Sequence, residues 1–286
     1  MARCYRTLRR TDRRFNKGNC MKRFGLLTIA ALLAAATASA QGWAKAKLEQ
    51  SPRHGEWVKI HYDNRDVDAF ITYPQVKDKA TAVVVIHEIF GLSDWVRNVT
   101  DELAEAGYIA IAPDLLSGKG PGGGGTVSLG GSDDVRRAIS SLPEKEITHD
   151  LDATVDYVSK LPSCNGKVAV MGFCWGGGQT FRFATNNKKI SAALSFYGPI
   201  PDTSSFKRIE CPVYGFYAEN DSRITSSVPD AAAAMKKDGK TYEPVVYKGA
   251  GHGFMRMGEQ PGAAGANKEA RDAAWQRAKD ILSKIN

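Results

Sequence analysis

Six short apolar runs, rich in Val and Ile, recur along the chain and alternate with segments of helical spacing. The runs cover residues 82–86, 109–112, 168–171, 192–197, 213–217 and 245–247. Runs that are apolar at every position suit strands that are covered on both faces, as in a parallel sheet. Strands that alternate with helices favour a doubly wound arrangement. The sequence therefore predicts an α/β fold with a mostly parallel sheet.

The intervals between the runs contain helical patterns. Val96, Val99 and Leu103 share one face of a predicted helix that Gly107 ends. Further helices are predicted within residues 147–158, 229–239 and 274–285.

Two earlier runs, at residues 57–62 and 67–73, flank the turn residues Asp63 and Asn64. They predict a leading antiparallel hairpin. No internal repeat or charge-rich linker divides residues 41–286, so we expect a single domain over that range.

The formal charge of +8 would suit a nucleic-acid partner if it lay on the folded protein. Residues 1–40, however, contain seven Arg, two Lys and one Asp, and the remaining residues contain 30 basic and 30 acidic side chains. The excess charge therefore belongs to the leader, and we expect no nucleic-acid partner.

Residues 21–40 have the three-part order of a secretory signal peptide: two basic residues, a short apolar stretch, and small residues at 38–40 for cleavage. A buried N-terminal helix is the alternative. We interpret residues 1–20 as a mis-called extension and expect a mature chain from Gln41, periplasmic if the source is Gram-negative. No other stretch of about 18 apolar residues predicts a membrane anchor.

Three cysteines, Cys164, Cys174 and Cys211, lie beyond the predicted cleavage site. An odd number in an oxidising compartment leaves at least one thiol unpaired. A Cys164–Cys211 disulfide is conceivable because each residue precedes a predicted strand, but a third strand expected between them opposes it.

A glycine-rich segment at residues 117–131 interrupts the alternation, with eight Gly and one Pro. It lacks the residue order of a phosphate-binding loop. It is either a flexible surface loop or a mobile edge of a site, because it follows the carboxyl end of a predicted strand, where α/β folds bind ligands.

Cys174 lies in the sequence Gly172-Phe173-Cys174-Trp175-Gly176, between a predicted strand and a predicted helix. This is the context of a nucleophile elbow, with Cys in the usual place of Ser. Such a sharp turn needs small flanking residues, and it directs the Trp175 amide at the reacting oxygen. The alternative is a buried Cys beside a glycine turn.

Asp221 and His252 follow later predicted strands. The order nucleophile, acid, histidine is that of an α/β-hydrolase triad. Taken singly, Asp221 could be a turn residue and His252 a structural cap, but each of the three follows a strand end.

With these motifs the sequence resembles the dienelactone hydrolases (carboxymethylenebutenolidases), from about Val67 to the C-terminal helix. The resemblance lies in His87-Glu88-Ile89-Phe90-Gly91-Leu92, Ala112-Pro113-Asp114-Leu115, Gly172-Phe173-Cys174-Trp175-Gly176-Gly177 and Gly251-His252-Gly253-Phe254. It implies an α/β-hydrolase fold, with Cys174 as nucleophile, His252 as base and Asp221 as the acid that orients it.

The resemblance also implies that Glu88 holds the resting thiol and then helps to deprotonate it, and that the Ile89 and Trp175 amides form the oxyanion hole. A lone Glu after a strand is more often solvated. Beside a triad it has a use, because a thiol with a pKa near 8.5 needs a partner to ionise.

Arginines hold the substrate carboxylate in this family, and Arg256 matches one of them. The second would fall near Gly118, where Lys119 could substitute. Lysine lacks the bidentate geometry of arginine, so dienelactone itself becomes a doubtful substrate. The predicted signal peptide is a second departure, because the aromatic-degradation enzymes are cytoplasmic.

We therefore expect a monomeric or weakly associating hydrolase of small esters or lactones that forms a thioester on Cys174. No metal or cofactor motif occurs. A broader esterase or thioesterase, and a non-catalytic binding or thiol redox-responsive protein, are the alternatives.

Overall fold

The hairpin and the six apolar runs all form strands of one eight-stranded sheet. The computed structural model describes residues 42–285. The strands are β1 Gly55–Tyr62, β2 Arg65–Thr72, β3 Ala80–Ile86, β4 Ile109–Pro113, β5 Cys164–Phe173, β6 Ala192–Phe196, β7 Val213–Ala218 and β8 Tyr242–Tyr247. Their order is β1-β2-β4-β3-β5-β6-β7-β8. Strands β1 and β2 pair antiparallel with their neighbours and the others pair parallel, which confirms the predicted topology.

Helices connect the strands, as the apolar spacing predicts. The α-helices of the described residues are α1 Gly42–Glu49, α2 Asp94–Glu105, α3 Ser132–Ser140, α4 Glu144–Ser159, α5 Trp175–Ala184, α6 Ser222–Thr225, α7 Val228–Lys237, α8 Phe254–Met257 and α9 Ala266–Ser283. Helix α2 begins after Ser93, and Gly107 lies just beyond its end with a φ of 97°.

Each face of the sheet carries its own hydrophobic core. Every residue of β3 is buried, with Val84 and Ile86 in one core and Val83 and Val85 in the other. Helices α4, α5 and α7 cover the first face, and helices α2 and α9 cover the second. Burial on both faces, at about 25 cal/mol per Å² of apolar surface, explains why residues 82–86 include no polar residue. The α/β-hydrolase fold is therefore confirmed.

The carboxyl ends of the parallel strands bring polar side chains to one edge of the sheet. The residues after β3, β4, β5, β6, β7 and β8 include Glu88, Asp114, Cys174, Tyr197, Asp221 and His252, respectively. Ligands of open α/β sheets bind at this edge. The fold thus assembles residues that are up to 164 positions apart in the chain.

Two of the three cysteines among the described residues lie in the hydrophobic core. Cys164 and Cys211 are buried and unpaired. Strand β6 lies between β5, which begins at Cys164, and β7, which follows Cys211. The strand expected between these two cysteines is therefore present.

The predicted extension at residues 1–20 and the predicted signal peptide at residues 21–40 lie outside the described residues. Between residues 42 and 285, no helix combines the length and apolar character that crossing a membrane requires.

Candidate active site

Cys174 lies in a strained turn between β5 and α5. Its φ of 55° and ψ of −119° are unusual for a residue with a side chain. The flanking glycines are required because a Cβ at Gly172 would lie 2.2 Å from the Gly176 carbonyl oxygen, and one at Gly176 would lie 2.4 Å from that of His87. The predicted elbow geometry follows from these close backbone contacts.

His252 joins Cys174 to Asp221. Its Nε2 lies 3.1 Å from the Cys174 Sγ, and its Nδ1 lies 2.6 Å from the Asp221 Oδ2. Because an ionised carboxylate can only accept, Nδ1 donates to Asp221 and Nε2 is left as the acceptor that faces the thiol. Asp221 is buried, and the T-shaped contact of the Tyr197 ring, at 5.1 Å between centroids, restricts the imidazole further.

The Cys174 thiol is held in its neutral form. Burial, and next the charge of Glu88, raise the pKa of Cys174 to about 11. The backbone N–H groups of Trp175 and Ile89 lie close enough to the sulfur to lower that pKa, as does the charge of Arg223. The two amides of the predicted oxyanion hole therefore converge on the reacting sulfur.

Glu88 contacts Arg256. The Arg256 Nε donates to the Glu88 Oε2 over 2.9 Å, and Glu88 is only 3% exposed. Burial raises the pKa of Glu88, and Arg256 opposes that effect. The resemblance implied a contact between Glu88 and the resting thiol; in the described residues Glu88 instead hydrogen-bonds to Arg256 and acts on Cys174 through its charge.

Arg136, which the sequence did not indicate, packs on the same aromatic ring as Arg256. Its guanidinium carbon lies 5.3 Å from the centre of the Phe90 ring, and that of Arg256 lies at the same distance from the same ring. Lys119 instead pairs with Glu146, at 2.8 Å between Nζ and Oε1. Helix α3, which carries Arg136, follows the glycine-rich segment, and no sequence motif indicated that it would reach Phe90.

Two further residues of this site were not anticipated. Arg223 lies two residues after Asp221 and is largely exposed, with its guanidinium 3.9 Å from the Asp221 carboxylate. Tyr197 is fully buried at the end of β6 with a φ of 38°, and its hydroxyl has no hydrogen-bond partner among residues 42–285. The only feature of the sequence that could have indicated Tyr197 is its position at the end of the predicted strand 192–197.

The arrangement suits attack on a carbonyl carbon. It combines a thiol, a base within hydrogen-bonding distance, an acid that orients the base, and two N–H donors beside the sulfur. Over the part of the chain that the structure describes, no group of three or more His, Cys, Asp or Glu side chains is arranged to hold a metal ion.

Comparisons with known proteins address the family and the fold of this chain. The family model "Dienelactone hydrolase family" matches residues 67–286. Proteins named "Putative carboxymethylenebutenolidase" from Saccharolobus solfataricus and Salmonella typhi are 29% and 31% identical, covering 80% and 74% of this chain and 98% and 80% of their own. A crystal structure titled "Putative Dienelactone Hydrolase" from Klebsiella pneumoniae has a TM-score of 0.71 at 24% identity, over 81% of this chain and 98% of that one. The chain belongs to the dienelactone hydrolase family and is a hydrolase that acts on ester or lactone bonds.

Proposed function

We propose that the protein is a cysteine-dependent hydrolase of small esters or lactones that forms a thioester on Cys174. The observation that carries the proposal is the 3.1 Å distance from the His252 Nε2 to the Cys174 Sγ, with Asp221 bonded to the opposite nitrogen. A buried cysteine with a purely structural role has no need of an oriented base.

The reaction begins with proton transfer from Cys174 to His252. Because the pKa of the thiol is about 11, the base removes the proton as sulfur attacks the carbonyl carbon. The Ile89 and Trp175 amides hold the oxyanion that forms. The imidazolium then gives its proton to the leaving alkoxide, and a thioester remains on Cys174.

A water molecule completes the cycle. It loses a proton to His252 and attacks the thioester carbonyl, and the same two amides hold the second oxyanion. The sulfur leaves, takes back the proton from His252, and the free acid departs. Water and ester are consumed, and an alcohol and an acid are released, so no other reactant is needed.

Cations around the site favour a substrate that carries a carboxylate. The charge of Arg256 is partly neutralised by Glu88, whereas Arg136 has only a 3.5 Å contact with the exposed Asp133. We therefore assign Arg136 beside Arg256 to the substrate carboxylate, with a smaller part for Lys119 because Glu146 already pairs with it.

The alternatives predict different chemistry. A broader esterase or thioesterase would use the same residues but would not prefer an anionic substrate. A redox-responsive protein would need a reactive thiolate, which the raised pKa of Cys174 disfavours.

The test compares residues 41–286 with a Cys174→Ala variant, under reducing conditions, on a neutral aryl ester and a carboxylate-bearing lactone. We expect hydrolysis of both by the wild type and none by the variant. Equal activity of the two proteins would contradict the mechanism.

Substrate preference is tested with Arg136→Gln. We expect KM for the carboxylate substrate to rise about three- to tenfold, and KM for the neutral ester to stay unchanged, since one exposed charge contact is lost. The control is Arg137→Gln, because Arg137 is exposed and pairs with Asp134 on the same helix. Equal effects of the two variants would remove Arg136 from the site.

A further inference from the structure

The glycine-rich segment is fixed in place by one buried carboxylate. The backbone N–H and the hydroxyl of Thr126 donate to the two carboxylate oxygens of Asp114, both over 2.7 Å. Asp114 follows β4 directly and is 4% exposed. Gly125 allows this approach, because a Cβ there would lie 2.2 Å from the Asp114 Oδ2. The segment is therefore attached to the sheet at Thr126.

The same hydroxyl also holds the turn that follows β3. The Leu92 N–H donates to the Thr126 Oγ1 over 3.0 Å, so the hydroxyl donates to Asp114 and accepts from Leu92 at once. Gly91 has a φ of 70°, and a Cβ there would lie 2.3 Å from that oxygen. The Gly91 N–H in turn donates to the Glu88 carbonyl over 3.1 Å.

This turn carries two of the groups that act on the sulfur, the Ile89 amide and the Glu88 carboxylate. We propose that Thr126, held by Asp114, is a positioning residue that fixes the Ile89 amide where the oxyanion forms. The inference rests on the proposed function, since it concerns the oxyanion of the acyl-transfer step. It assigns the glycine-rich segment the role of a fixed support for the oxyanion hole.

The Thr126 hydroxyl suits this positioning role because it donates to Asp114 and accepts from the Leu92 N–H. Asp114 is anchored independently by the Leu116 N–H at 3.1 Å, and the turn is anchored by its own backbone bond to Glu88. Thr126 is the link between these two anchored parts. Removal of its hydroxyl leaves both parts folded and frees their relative position, and a displacement of about 1 Å can reduce catalysis up to a hundredfold.

The test uses Thr126→Val, which keeps the side-chain shape, and Thr126→Ser, which keeps the hydroxyl. We expect Thr126→Val to lower kcat on a neutral aryl ester about tenfold with KM nearly unchanged, and Thr126→Ser to retain kcat within about twofold. The matched control is Ser128→Ala, because the Ser128 hydroxyl lies in the same segment and donates only to the Gly125 carbonyl. This control should behave as the wild type.

Two probes of Cys174 separate positioning from a general loss of structure. An aliphatic aldehyde forms a hemithioacetal: sulfur bonds to the carbonyl carbon, and the thiol proton passes to the oxygen, which occupies the oxyanion hole. Iodoacetamide is attacked at carbon with loss of iodide and forms no oxyanion. We expect Thr126→Val to weaken aldehyde inhibition about tenfold and to change the alkylation rate by less than about threefold. The effect on alkylation is small because the Ile89 amide acts least on the thiol pKa and Glu88 stays bonded to Arg256.

A Thr126→Val kcat within twofold of the wild type, with only a lower Tm, would overturn the inference. If Thr126→Val does not fold, the same measurements are made on Asp114→Asn. Unchanged aldehyde inhibition in Asp114→Asn would then overturn the inference. The Cys174→Ala variant distinguishes the two failures, because activity without Cys174 contradicts the proposed function itself. Faster hydrogen exchange at the Leu92 amide in Thr126→Val is expected whichever nucleophile acts, and unchanged exchange would contradict the link.

Discussion

Opposing effects of the surrounding groups decide whether the Cys174 thiol is neutral or ionised. Burial and the Glu88 carboxylate favour the neutral thiol, while the Ile89 and Trp175 amides favour the thiolate. The site thus keeps its nucleophile protonated until His252 takes the proton. A neutral thiol is also less prone to oxidation than a thiolate.

The charge of Glu88 can be tested through thiol alkylation. In the wild type, the rate with iodoacetamide should keep rising with pH towards the thiol pKa of about 11. Glu88→Gln removes a negative charge and leaves Arg256 cationic, so the pKa of Cys174 should fall. We expect alkylation at pH 8 to become about three- to tenfold faster.

The control for this experiment is Glu146→Gln, since Glu146 is a half-buried carboxylate that pairs with Lys119 and Arg65. Its alkylation profile should match the wild type. A Glu88→Gln profile that also matches the wild type would show that Glu88 does not act on the thiol through its charge.

At the scale of elements, the strands were easier to predict than the contacts they support. The run at residues 82–86 is β3 almost in full, because both of its faces are buried. Only the last three residues of β8 were predicted, since this edge strand is half exposed and includes Pro244. Helix α3 is short and strongly charged, and its sequence gave no sign of its position.

The same limit applies to the candidate site. Cys174, Asp221 and His252 could be proposed because the carboxyl ends of parallel strands meet at one edge of the sheet. The pairing of Arg256 with Glu88, and the packing of Arg136 on Phe90, depend on side chains from distant elements. No local sequence pattern indicates such contacts between distant side chains. Lys119 was expected to replace the second arginine only because it follows Gly118 in the sequence.

A buried acidic pair joins α1, α2 and α9. Glu102 lies beside Glu259, and Lys47 and Arg271 pair with them, with the Arg271 Nη2 2.6 Å from a Glu102 oxygen. Burial, and next the charge of Glu259, raise the pKa of Glu102 from an ordinary value near 4.5 to about 7. The two cations therefore only partly offset the cost of the buried charge.

This cluster predicts a stability that falls with rising pH. The folded protein holds the Glu102 proton more tightly than the unfolded chain does. The ionisation of Glu102 therefore leaves the free energy of unfolding unchanged below about pH 4.5, and lowers it progressively up to about pH 7. In Glu102→Gln, the decrease in the free energy of unfolding between pH 5 and pH 8 should be about 2–3 kcal/mol smaller than in the wild type, as measured by urea unfolding. Asp68→Asn, at an exposed pair with Lys59, is the control, and equal slopes for wild type and Glu102→Gln would contradict the prediction.

At the scale of the whole molecule, we propose export on the pattern of residues 21–40, and the thiols and α1 are compatible with it. Cys164 and Cys211 are buried and separated by β6, so Cys174 is the accessible thiol among the described residues. Helix α1 begins at Gly42 and is held to the body of the protein by Lys47, which pairs with Glu102 and Glu259. Cleavage before Gln41 would leave these two ion pairs of Lys47 in place.

Export can be tested with a β-lactamase reporter that lacks its own signal peptide. A fusion that begins at Met21 should protect a Gram-negative host from ampicillin, and a fusion that begins at Gln41 should not, because only the first carries residues 21–40. The released protein should begin at Gln41 by mass spectrometry, and Ala40→Phe should block cleavage because the peptidase requires a small residue there. A fusion from Met1 that protects no better than that from Met21 would support the interpretation of residues 1–20 as an extension. Retention of the Met21 fusion in the cytoplasm would contradict export, and the enzyme would then act on an intracellular ester.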